Sequence, residues 1–512
     1  MTIADTSYAQ SAGNGRALRA GTALAAALEA MALLAIAFAV VAIPLTLHVL
    51  HPAVGIVSAL IIAGSCALRM PQAALVAIPF AFLFQNLIVS LLASQISTAD
   101  FDIIRGYNFL TLASVWLVTA VRFLASWGER NRLLDPYLKF SISLLFIIGI
   151  YFIYGYSRTG MTAVIYLRNI VTPLLLFQVC LVLFSQRHIN IGAALSGLAV
   201  LAIIAGFTEF LGRDFWLAAT NGRAYWELAG DANWITLAYD KAARESGLVA
   251  TGLVDTFRIA AFNSPLLADF EIEVLRLFGP NMHAISFAYA LVFFSIFCLY
   301  RARFGLAALL FILMVLCNAK GPLIVFLLVG AGWVVFRLLG ARIGFVATCI
   351  ALSAYAVLGI LVGLDIEDYH VLGLMAGLSD FPLNPVGWGI GSGGNLSPDF
   401  ETIDWSAAQG NGRTPFAVES SVAVLLHQMG VFAFAVIAFY TWAAWQVMKL
   451  ARITGNNLHA AAALGLMSMV VNGLFQEEAY FAPLALALFL GLAGMILGAA
   501  ARNRISLQAI IS

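Results

Sequence analysis

The chain has 512 residues, of which 62% are hydrophobic and only 10% are charged. Soluble domains carry about 25% charged residues, so this composition excludes a soluble globular protein and predicts a polytopic membrane protein. The formal net charge of +1 gives no indication of a nucleic-acid partner.

Long apolar segments follow one another along most of the chain. A span needs roughly 20 apolar residues whose backbone groups are paired within the segment, so each of these segments is predicted to be a helix. The predicted fold class is an all-α polytopic membrane protein with about 12–14 transmembrane helices, and the count depends on two short segments that meet at residues 318–321. The predicted spans cover residues 23–46, 53–68, 72–94, 107–124, 138–156, 163–184, 191–211, 281–300, 304–319, 320–337, 343–363, 420–447, 458–476 and 481–500.

Basic residues gather at the ends of alternate spans, which predicts that both termini are cytoplasmic. Sixteen basic residues then lie on the cytoplasmic side, with only three clear acidic residues, Asp5, Glu129 and Asp135. Nearly all other acidic residues fall on the outside. The basic residues are Arg16, Arg19, Arg69, Arg122, Arg130, Arg132, Lys139, Arg187, Arg301, Arg303, Arg337, Arg342, Lys449, Arg452, Arg502 and Arg504.

Two segments on the outside are too long to be simple turns, and they divide the chain. The first is predicted to form short helices at the outer surface, because its apolar spacing is helical but its length and hydropathy are too small for a span. The predicted parts are a cytoplasmic tail (1–22), an N-terminal transmembrane bundle (23–211), the first outer loop (212–280), central transmembrane helices (281–363), the second outer loop (364–418), C-terminal transmembrane helices (419–500) and a cytoplasmic tail (501–512).

Three basic residues lie against or within the apolar segments. Arg168 lies in YLRNIVTP, Arg276 in EVLRLFGPNMHA and Lys320 in LCNAKGPL. A cation at membrane depth is costly and usually lines a polar cavity, which makes these residues candidates for a functional site. The alternatives are side chains that extend to the lipid headgroups, or structural ion pairs.

A polar, glycine-rich segment, residues 385–430, interrupts the apolar pattern late in the chain. It opens with PVGWGIGSGG and later carries Arg413 and Glu419. Lipid-buried segments cannot leave irregular backbone unpaired, so this segment is predicted to carry the chemistry. The glycine N–H groups could cradle a phosphate, although their spacing matches neither a P-loop nor a dinucleotide fingerprint.

Glu419 is predicted to stand in the first turn of the helix that continues as span 420–447. A carboxylate is favoured there by the helix dipole, so Glu419 is either a helix cap or a catalytic group. His427 is interpreted as a packed core histidine, and Glu477 and Glu478 as solvated residues at an outer helix end. Because neither an acidic cluster nor a redox or zinc-type cysteine pair is visible, no metal and no cofactor is predicted.

Taken together, these segments resemble a known family. The order is RLFGPNMHA, then the basic-glycine turn NAKGP, then NPVGWGIGSGG, and finally a polar residue, Glu419, eleven positions before the helix glycine Gly430. This order is similar to that of the O-antigen ligase and Wzy-type polysaccharide polymerase superfamily of bacterial inner membranes. The resemblance covers roughly residues 270–480 and implies a fold resembling GT-C-type membrane glycosyltransferases.

The resemblance implies glycosyl transfer outside the cytoplasm, from a polyprenyl-diphosphate-linked sugar to a hydroxyl group, without a nucleotide donor or a metal. Arg276 matches the arginine that the family carries before its small loop span. A diphosphate leaving group needs fixed cations, and Arg168, Arg276, Lys320 and Arg413 are the candidates. The attacking hydroxyl needs a general base, for which Glu419 is the candidate.

Two departures from the ligase pattern favour the polymerase branch. Lys320 falls where ligases usually carry Ser-Arg-Gly, and Glu419 falls where they usually carry His. The function predicted from the resemblance is therefore inverting polymerisation of undecaprenyl-diphosphate-linked oligosaccharide repeat units, in exopolysaccharide or O-antigen biosynthesis. The active site would face the periplasm. Its partners would be the lipid-linked donor and acceptor, the bilayer, and flippase and chain-length or export proteins.

Three alternatives remain open at this point. An O-antigen ligase, which transfers glycan to lipid A-core, differs only in its acceptor. A flippase or transporter of lipid-linked sugars should show paired halves with broken spans, and no such symmetry is visible. A purely structural membrane scaffold would leave the cation within a span, Arg168, without a role.

Overall fold

The computed structural model describes residues 14–229, 258–260 and 273–504. Within these residues the secondary structure is helical except for two three-residue strands, β1 (Arg258–Ala260) and β2 (Glu273–Leu275), which pair antiparallel. The prediction of a helical polytopic membrane protein is thus confirmed. Most of the predicted loop 212–280 lies outside the described residues. The same is true of residues 1–13 and 505–512 in the two predicted tails.

The helices of the described residues vary from one turn to more than ten. In chain order they are α1 (Asn14–Leu50), α2 (Pro52–Arg69), α3 (Pro71–Leu92), α4 (Thr98–Arg105), α5 (Tyr107–Ala125), α6 (Asp135–Thr159), α7 (Met161–Gln186), α8 (Gly192–Leu211), α9 (Arg213–Ala219), α10 (Gly222–Leu228), α11 (Ala284–Tyr300), α12 (Phe304–Leu316), α13 (Lys320–Leu339), α14 (Ala341–Asp365), α15 (Tyr369–Asp380), α16 (Trp405–Asn411), α17 (Ser421–Met429), α18 (Phe432–Thr454), α19 (Asn457–Asn472), α20 (Glu478–Phe481) and α21 (Leu488–Arg502).

The chain forms two compact units. The first consists of Met1–Val118 and His188–Thr256, and the second of Thr119–Arg187 and Phe257–Ser512. Helices α1–α4 and α8–α10 belong to the first unit, α6, α7 and α11–α21 to the second, and α5 crosses the boundary. Two short helices, α9 and α10, lie in the described start of the predicted loop 212–280, whose outer location stays a prediction. All residues predicted to form the site lie in the second unit.

Eleven helices in the described part of the chain are long and apolar enough to cross a membrane. Three further apolar helices are shorter, with 17 residues in α11, 13 in α12 and 16 in α19. Each predicted span overlaps one of these helices, although the span 420–447 also contains a separate short helix. The predicted break at residues 318–321 is present, because Asn318 has a φ of 54° and α13 begins at Lys320.

The predicted span 420–447 is wrong as a single helix. It is divided at Gly430, which has a φ of 54°, into the nine-residue helix α17 and the longer helix α18. Apolar periodicity continues through this break, so the hydropathy of the sequence does not reveal it. The consequence is that the residues around Glu419 belong to a short helix that is separate from the neighbouring span.

Helices α15 and α17 lie side by side and run in the same direction. At their beginnings, His370 of α15 contacts Glu419, which directly precedes α17. At their ends, Asp380 of α15 contacts His427 of α17. The two short helices therefore carry a carboxylate–imidazole contact at each end.

Two glycines let α15 approach α17 closely. A Cβ atom on Gly373 would lie 2.0 Å from the carbonyl oxygen of Val418, and one on Gly377 would lie 2.7 Å from the Cα of Ala423. Small residues four positions apart are the usual means of bringing two helix backbones together. The spacing Gly-x-x-x-Gly therefore fixes the separation of the residues that α15 and α17 carry.

We expect Gly377→Ala to lower the thermal stability of the purified protein, by about 1–3 kcal/mol, because the added methyl group meets backbone atoms of α17. Gly330→Ala is the matched control, since a Cβ there meets nothing within 4 Å in the middle of α13. Alanine is favoured over glycine in a helix, so the control should be neutral or slightly stabilising. Equal unfolding midpoints for the two variants would contradict the close packing of α15 on α17.

The two ends of α7 mark two ends of the second unit. Near its start, the hydroxyl of Tyr166 donates to Glu477 at 2.5 Å. Just after its end, the carbonyl of Arg187 accepts a hydrogen bond from Arg502, and Asn131 donates to a carbonyl of α21 at 2.7 Å. Three residues predicted to be cytoplasmic, Arg187, Arg502 and Asn131, thus lie about 30 Å from Tyr166 along the helix, which is close to the thickness of the bilayer core.

Candidate active site

Glu419 stands immediately before α17 and is not part of it. The helix is capped by Ser420, whose Oγ accepts a hydrogen bond from the N–H of Ala423 at 3.2 Å. The prediction that Glu419 lies in the first helical turn is therefore wrong, and so is the alternative that Glu419 caps the helix. Since Ser420 performs the capping, the carboxylate of Glu419 makes other contacts.

The backbone of Glu419 is left-handed, with a φ of 59°. A residue with a side chain adopts this conformation at a cost of order 1–3 kcal/mol, and such residues cluster at functional sites. The N–H of Glu419 donates to the Oδ1 of Asn395 at 2.9 Å, which holds the backbone in place. The surrounding structure thus fixes Glu419 in a conformation that the isolated residue disfavours.

The carboxylate of Glu419 contacts the imidazole of His370. Oε2 of Glu419 lies 3.1 Å from Nδ1 of His370, and the two side chains are 14% and 23% exposed. Burial disfavours the charged imidazole, but the hydrogen bond and the charge of Glu419 outweigh it, so the pKa of His370 is raised. The contact uses one polar atom of each side chain, Oε2 of Glu419 and Nδ1 of His370.

Arg276 is linked to this pair through Glu478. Glu478 is half-buried and interacts electrostatically with Glu419, His370 and Arg276. Burial and the negative charge of Glu419 raise the pKa of Glu478. A carboxyl group with a raised pKa carries its negative charge in fewer molecules, so its interaction with the charge of Arg276 is weaker.

Lys320 begins α13 beside the same group of residues. It is exposed and interacts electrostatically with Asp368, whose Oδ1 accepts the N–H of His370 at 3.0 Å. A Cβ on Gly321 would lie 2.1 Å from Oε1 of Gln476, so the start of α13 packs directly on the turn that follows α19. We call Glu419, His370, Arg276, Glu478, Lys320 and Asp368 the charged cluster.

The glycine-rich segment shapes the loop that leads to Asn395. Five of its glycines have φ between 71° and 96°, a region that residues with a Cβ avoid. The N–H groups of Gly387, Gly389 and Gly394 donate to backbone carbonyls at 2.8–3.0 Å. These three N–H groups are therefore not available to cradle a phosphate. The role that the sequence suggests for the glycine N–H groups does not apply to them. The five glycines are Gly387, Gly389, Gly391, Gly393 and Gly394.

A buried hydrogen-bond chain supports Asn395. The hydroxyl of Tyr166 donates to Oε1 of Glu477 at 2.5 Å, and the N–H of Asn395 donates to Oε2 of the same carboxyl at 2.9 Å. Asn395 in turn accepts the N–H of Glu419. A Cβ on Gly394 would lie 1.9 Å from the Tyr166 hydroxyl, so only glycine allows this approach. Glu477 is thus a positioning residue for Glu419.

The expectation that Glu477 is solvated is wrong. Its side chain is 4% exposed, because the turn after α19 directs it toward Tyr166. Burial raises the pKa of Glu477 to about 8, against the opposing effect of the two hydrogen bonds that the carboxyl accepts. Near neutral pH this carboxyl therefore holds a proton in a large share of molecules.

We expect the stability of the protein to depend on pH through Glu477. Its pKa in the folded state, about 8, lies above its ordinary value of 4.5, so the folded state binds the proton more tightly than the unfolded state. The resulting stabilisation is complete below pH 4.5 and is lost as the pH rises toward 8. Unfolding midpoints of the parental protein and of Glu477→Gln, measured across this range, should shift in favour of the variant as the pH rises. A difference that stays constant from pH 4.5 to 8.5 would contradict the raised pKa.

A second carboxylate–imidazole pair lies at the other ends of α15 and α17. Nδ1 of His427 is 3.3 Å from Oδ2 of Asp380, and Nη1 of Arg413 is 3.9 Å from Oδ1. His427 is largely buried, as interpreted from the sequence, but it also has a carboxylate partner, Asp380. Arg413, predicted together with the other diphosphate cations, contacts Asp380 of this second pair. Along the two helices, Asp380 lies about 15 Å from His370 and His427 about 12 Å from Glu419.

Arg168 is half-buried on α7, two residues after Tyr166. The contacts described above join Glu419, Arg276 and Lys320 in the charged cluster, and they do not join Arg168 to it. Sequence reasoning missed His370 and Asn395. Asn395 directly follows the glycine run, which is a usable signal, whereas nothing in the sequence relates His370 to Glu419.

Within residues 14–229, 258–260 and 273–504, no group of three or more His, Cys, Asp or Glu side chains could hold a metal ion. The helices and the charged cluster define a polytopic helical membrane protein with a polar site near the ends of its apolar helices. Neither the protein-family models nor the curated proteins compared with the chain gave a match.

Proposed function

We propose that the chain is a membrane glycosyltransferase that polymerises oligosaccharide repeat units carried on undecaprenyl diphosphate. The observation that supports this proposal is the charged cluster, in which the Glu419–His370 pair interacts with Arg276 through Glu478, and Lys320 interacts with Asp368 next to this pair. A proton acceptor beside fixed cations meets the two requirements for displacing a diphosphate from a sugar. In this proposal the helical fold is of the GT-C type.

The reaction is a single displacement. A hydroxyl oxygen of the acceptor sugar attacks the anomeric carbon of the donor, and the bond between that carbon and the diphosphate oxygen breaks. The electron pair leaves with the diphosphate, whose charge Arg276 and Lys320 stabilise, with Arg168 as a third cation on the donor. The hydroxyl proton passes to Glu419, and His370 holds the carboxylate in place. One displacement inverts the anomeric centre.

The proposed reaction takes place on the periplasmic side of the bacterial inner membrane. The contact between Arg187 and Arg502 lies at one end of α7, and the contact between Tyr166 and Glu477 lies near the other end. Because basic residues mark the cytoplasmic side, this separation supports a periplasmic location for the charged cluster. Lipid-linked donor and acceptor reach it from the bilayer, supplied by a flippase and followed by chain-length or export proteins.

The proposal is tested by mass spectrometry of lipid-linked glycans from cells that lack the chain. Accumulation of single repeat units, reversed by the parental gene and not by Glu419→Gln, is the expected result. Long chains that remain on the lipid would indicate an O-antigen ligase instead. Repeat units confined to the cytoplasmic leaflet would indicate a flippase. An unchanged glycan pool would exclude the polymerase, the ligase and the flippase functions.

A further inference from the structure

The second pair at the ends of α15 and α17 has no role in the proposed chemistry. Asp380 is the shared partner, with Oδ2 at 3.3 Å from His427 and Oδ1 at 3.9 Å from Arg413. The side chains of Asp380 and Arg413 are 24% and 49% exposed, whereas that of His427 is 10% exposed. The group is therefore anchored at His427 and open at Arg413.

An aromatic side chain stands beside this pair. The N–H of Trp388 donates to the carbonyl of His427 at 2.9 Å, and the two rings are 6.3 Å apart with 31° between their planes. Trp388 is nevertheless 43% exposed. Its backbone is fixed to α17 while much of its indole remains open to a ligand.

We propose that Asp380, His427, Arg413 and Trp388 form a saccharide subsite, separate from the charged cluster. Carboxylates and guanidinium groups bind vicinal sugar hydroxyls through charge-assisted hydrogen bonds, the carboxylate accepting and the guanidinium donating. The indole offers an apolar face to the C–H side of a sugar ring while its N–H remains able to donate. Together, these four side chains supply a hydrogen-bond acceptor, hydrogen-bond donors and an apolar surface for a sugar ring.

The charge of the subsite favours a neutral sugar over a diphosphate. Asp380 lies against both His427 and Arg413, so an incoming diphosphate would meet a carboxylate between the two basic groups. Like charges in contact disfavour each other strongly.

The distance between the subsite and Glu419 indicates what the subsite could bind. Parallel packing of α15 on α17 sets it about 12–15 Å from Glu419. This inference rests on the proposed polymerase function. The subsite holds some sugar units of an oligosaccharide, and the reacting sugar unit of the same oligosaccharide lies at Glu419. It would then determine which repeat unit is accepted while taking no part in bond breaking.

The test is direct binding to the purified full-length protein in lipid nanodiscs. The probe is a mixture of oligosaccharides released by partial acid hydrolysis from the surface glycan of the cells that make the chain, labelled at their reducing ends. Variants are Asp380→Asn, Arg413→Gln and Trp388→Ala. The matched control is Arg158→Gln, which removes the same charge from an exposed arginine over the ring of Tyr154 in α6.

We expect saturable binding by the parental protein and by Arg158→Gln, and binding weakened about tenfold or more by Asp380→Asn and by Arg413→Gln. Trp388→Phe should retain part of the affinity that Trp388→Ala loses, and inorganic diphosphate should not displace the probe. Arg413 is half-exposed, so its variant tests the inference even if Asp380→Asn fails to fold. Absence of saturable binding, equal affinity in parental and Arg413→Gln proteins, or displacement by inorganic diphosphate would each overturn it.

Failure of the subsite and failure of the polymerase function give different results. Oligosaccharide binding that depends on Asp380, together with an unchanged glycan pool in cells lacking the chain, would retain the subsite and remove the polymerase. Accumulated single repeat units, together with binding that the variants leave unchanged, would retain the polymerase and remove the subsite.

Discussion

Replacing Glu419 with Gln is expected to lower the turnover of lipid-linked repeat units by about 10²–10⁴-fold, the usual contribution of a positioned general base. The amide preserves the size of the side chain but cannot accept the hydroxyl proton. Glu419→Asp should keep part of the activity, because it keeps a carboxylate at a shorter reach. His370→Gln should lose less than Glu419→Gln, because His370 only positions the base. The measurement is the rate at which the purified protein consumes lipid-linked repeat units.

Two controls separate this effect from folding. Glu419→Gly suits the left-handed backbone at this position, so it should leave stability unchanged or raise it while activity is lost. Ser420→Ala removes the actual helix cap, which should cost about 0.5–2 kcal/mol of stability with little loss of turnover. Near-parental turnover by Glu419→Gln would end the assignment of Glu419. An inactive His370→Gln beside a partly active Glu419→Gln would transfer the role of base to His370.

Arg276→Ala and Lys320→Ala are expected to abolish polymer formation while membrane abundance stays near normal. Each removes a fixed cation that would hold the leaving diphosphate at its own position. Lys320→Arg should retain partial activity, because the positive charge persists although the shape of the donor changes. Polymer length on gels and the amount of protein in membranes provide the two measurements.

Arg337→Ala is the matched control for Lys320→Ala. Both residues belong to α13, but Arg337 is exposed in the last turn of the helix and Lys320 begins it. The control removes a charge from the same helix without touching the charged cluster, so polymer should form normally. Full activity in both Arg276→Ala and Lys320→Ala would end the role of these cations in holding a diphosphate.

Helix positions could be predicted because a span imposes a minimum length and an apolar composition that are local properties of the chain. The break at Gly430 could not, since a glycine within an apolar run does not by itself end a helix. The burial of Glu477 could not be predicted either, because it depends on Tyr166, which lies 311 residues earlier in the sequence. Arg276, Lys320 and Glu419 are candidates because of their own residue types and places in the sequence, whereas the pairing of Glu419 with His370 depends on how α15 packs against α17.

One of the three short apolar helices, α12, is mostly unburied and has a consequence for the lipid around the protein, whereas α11 and α19 are largely buried. Arg276 precedes α11, Lys320 follows α12 and Glu478 follows α19, so the charged cluster gathers where the short helices end. A 13-residue helix is about 20 Å long, against about 30 Å for a 20-residue span. Such a hydrophobic mismatch thins the adjacent bilayer and brings headgroups inward. Phospholipids with longer acyl chains should then oppose this thinning and slow the entry of lipid-linked substrates into the cluster.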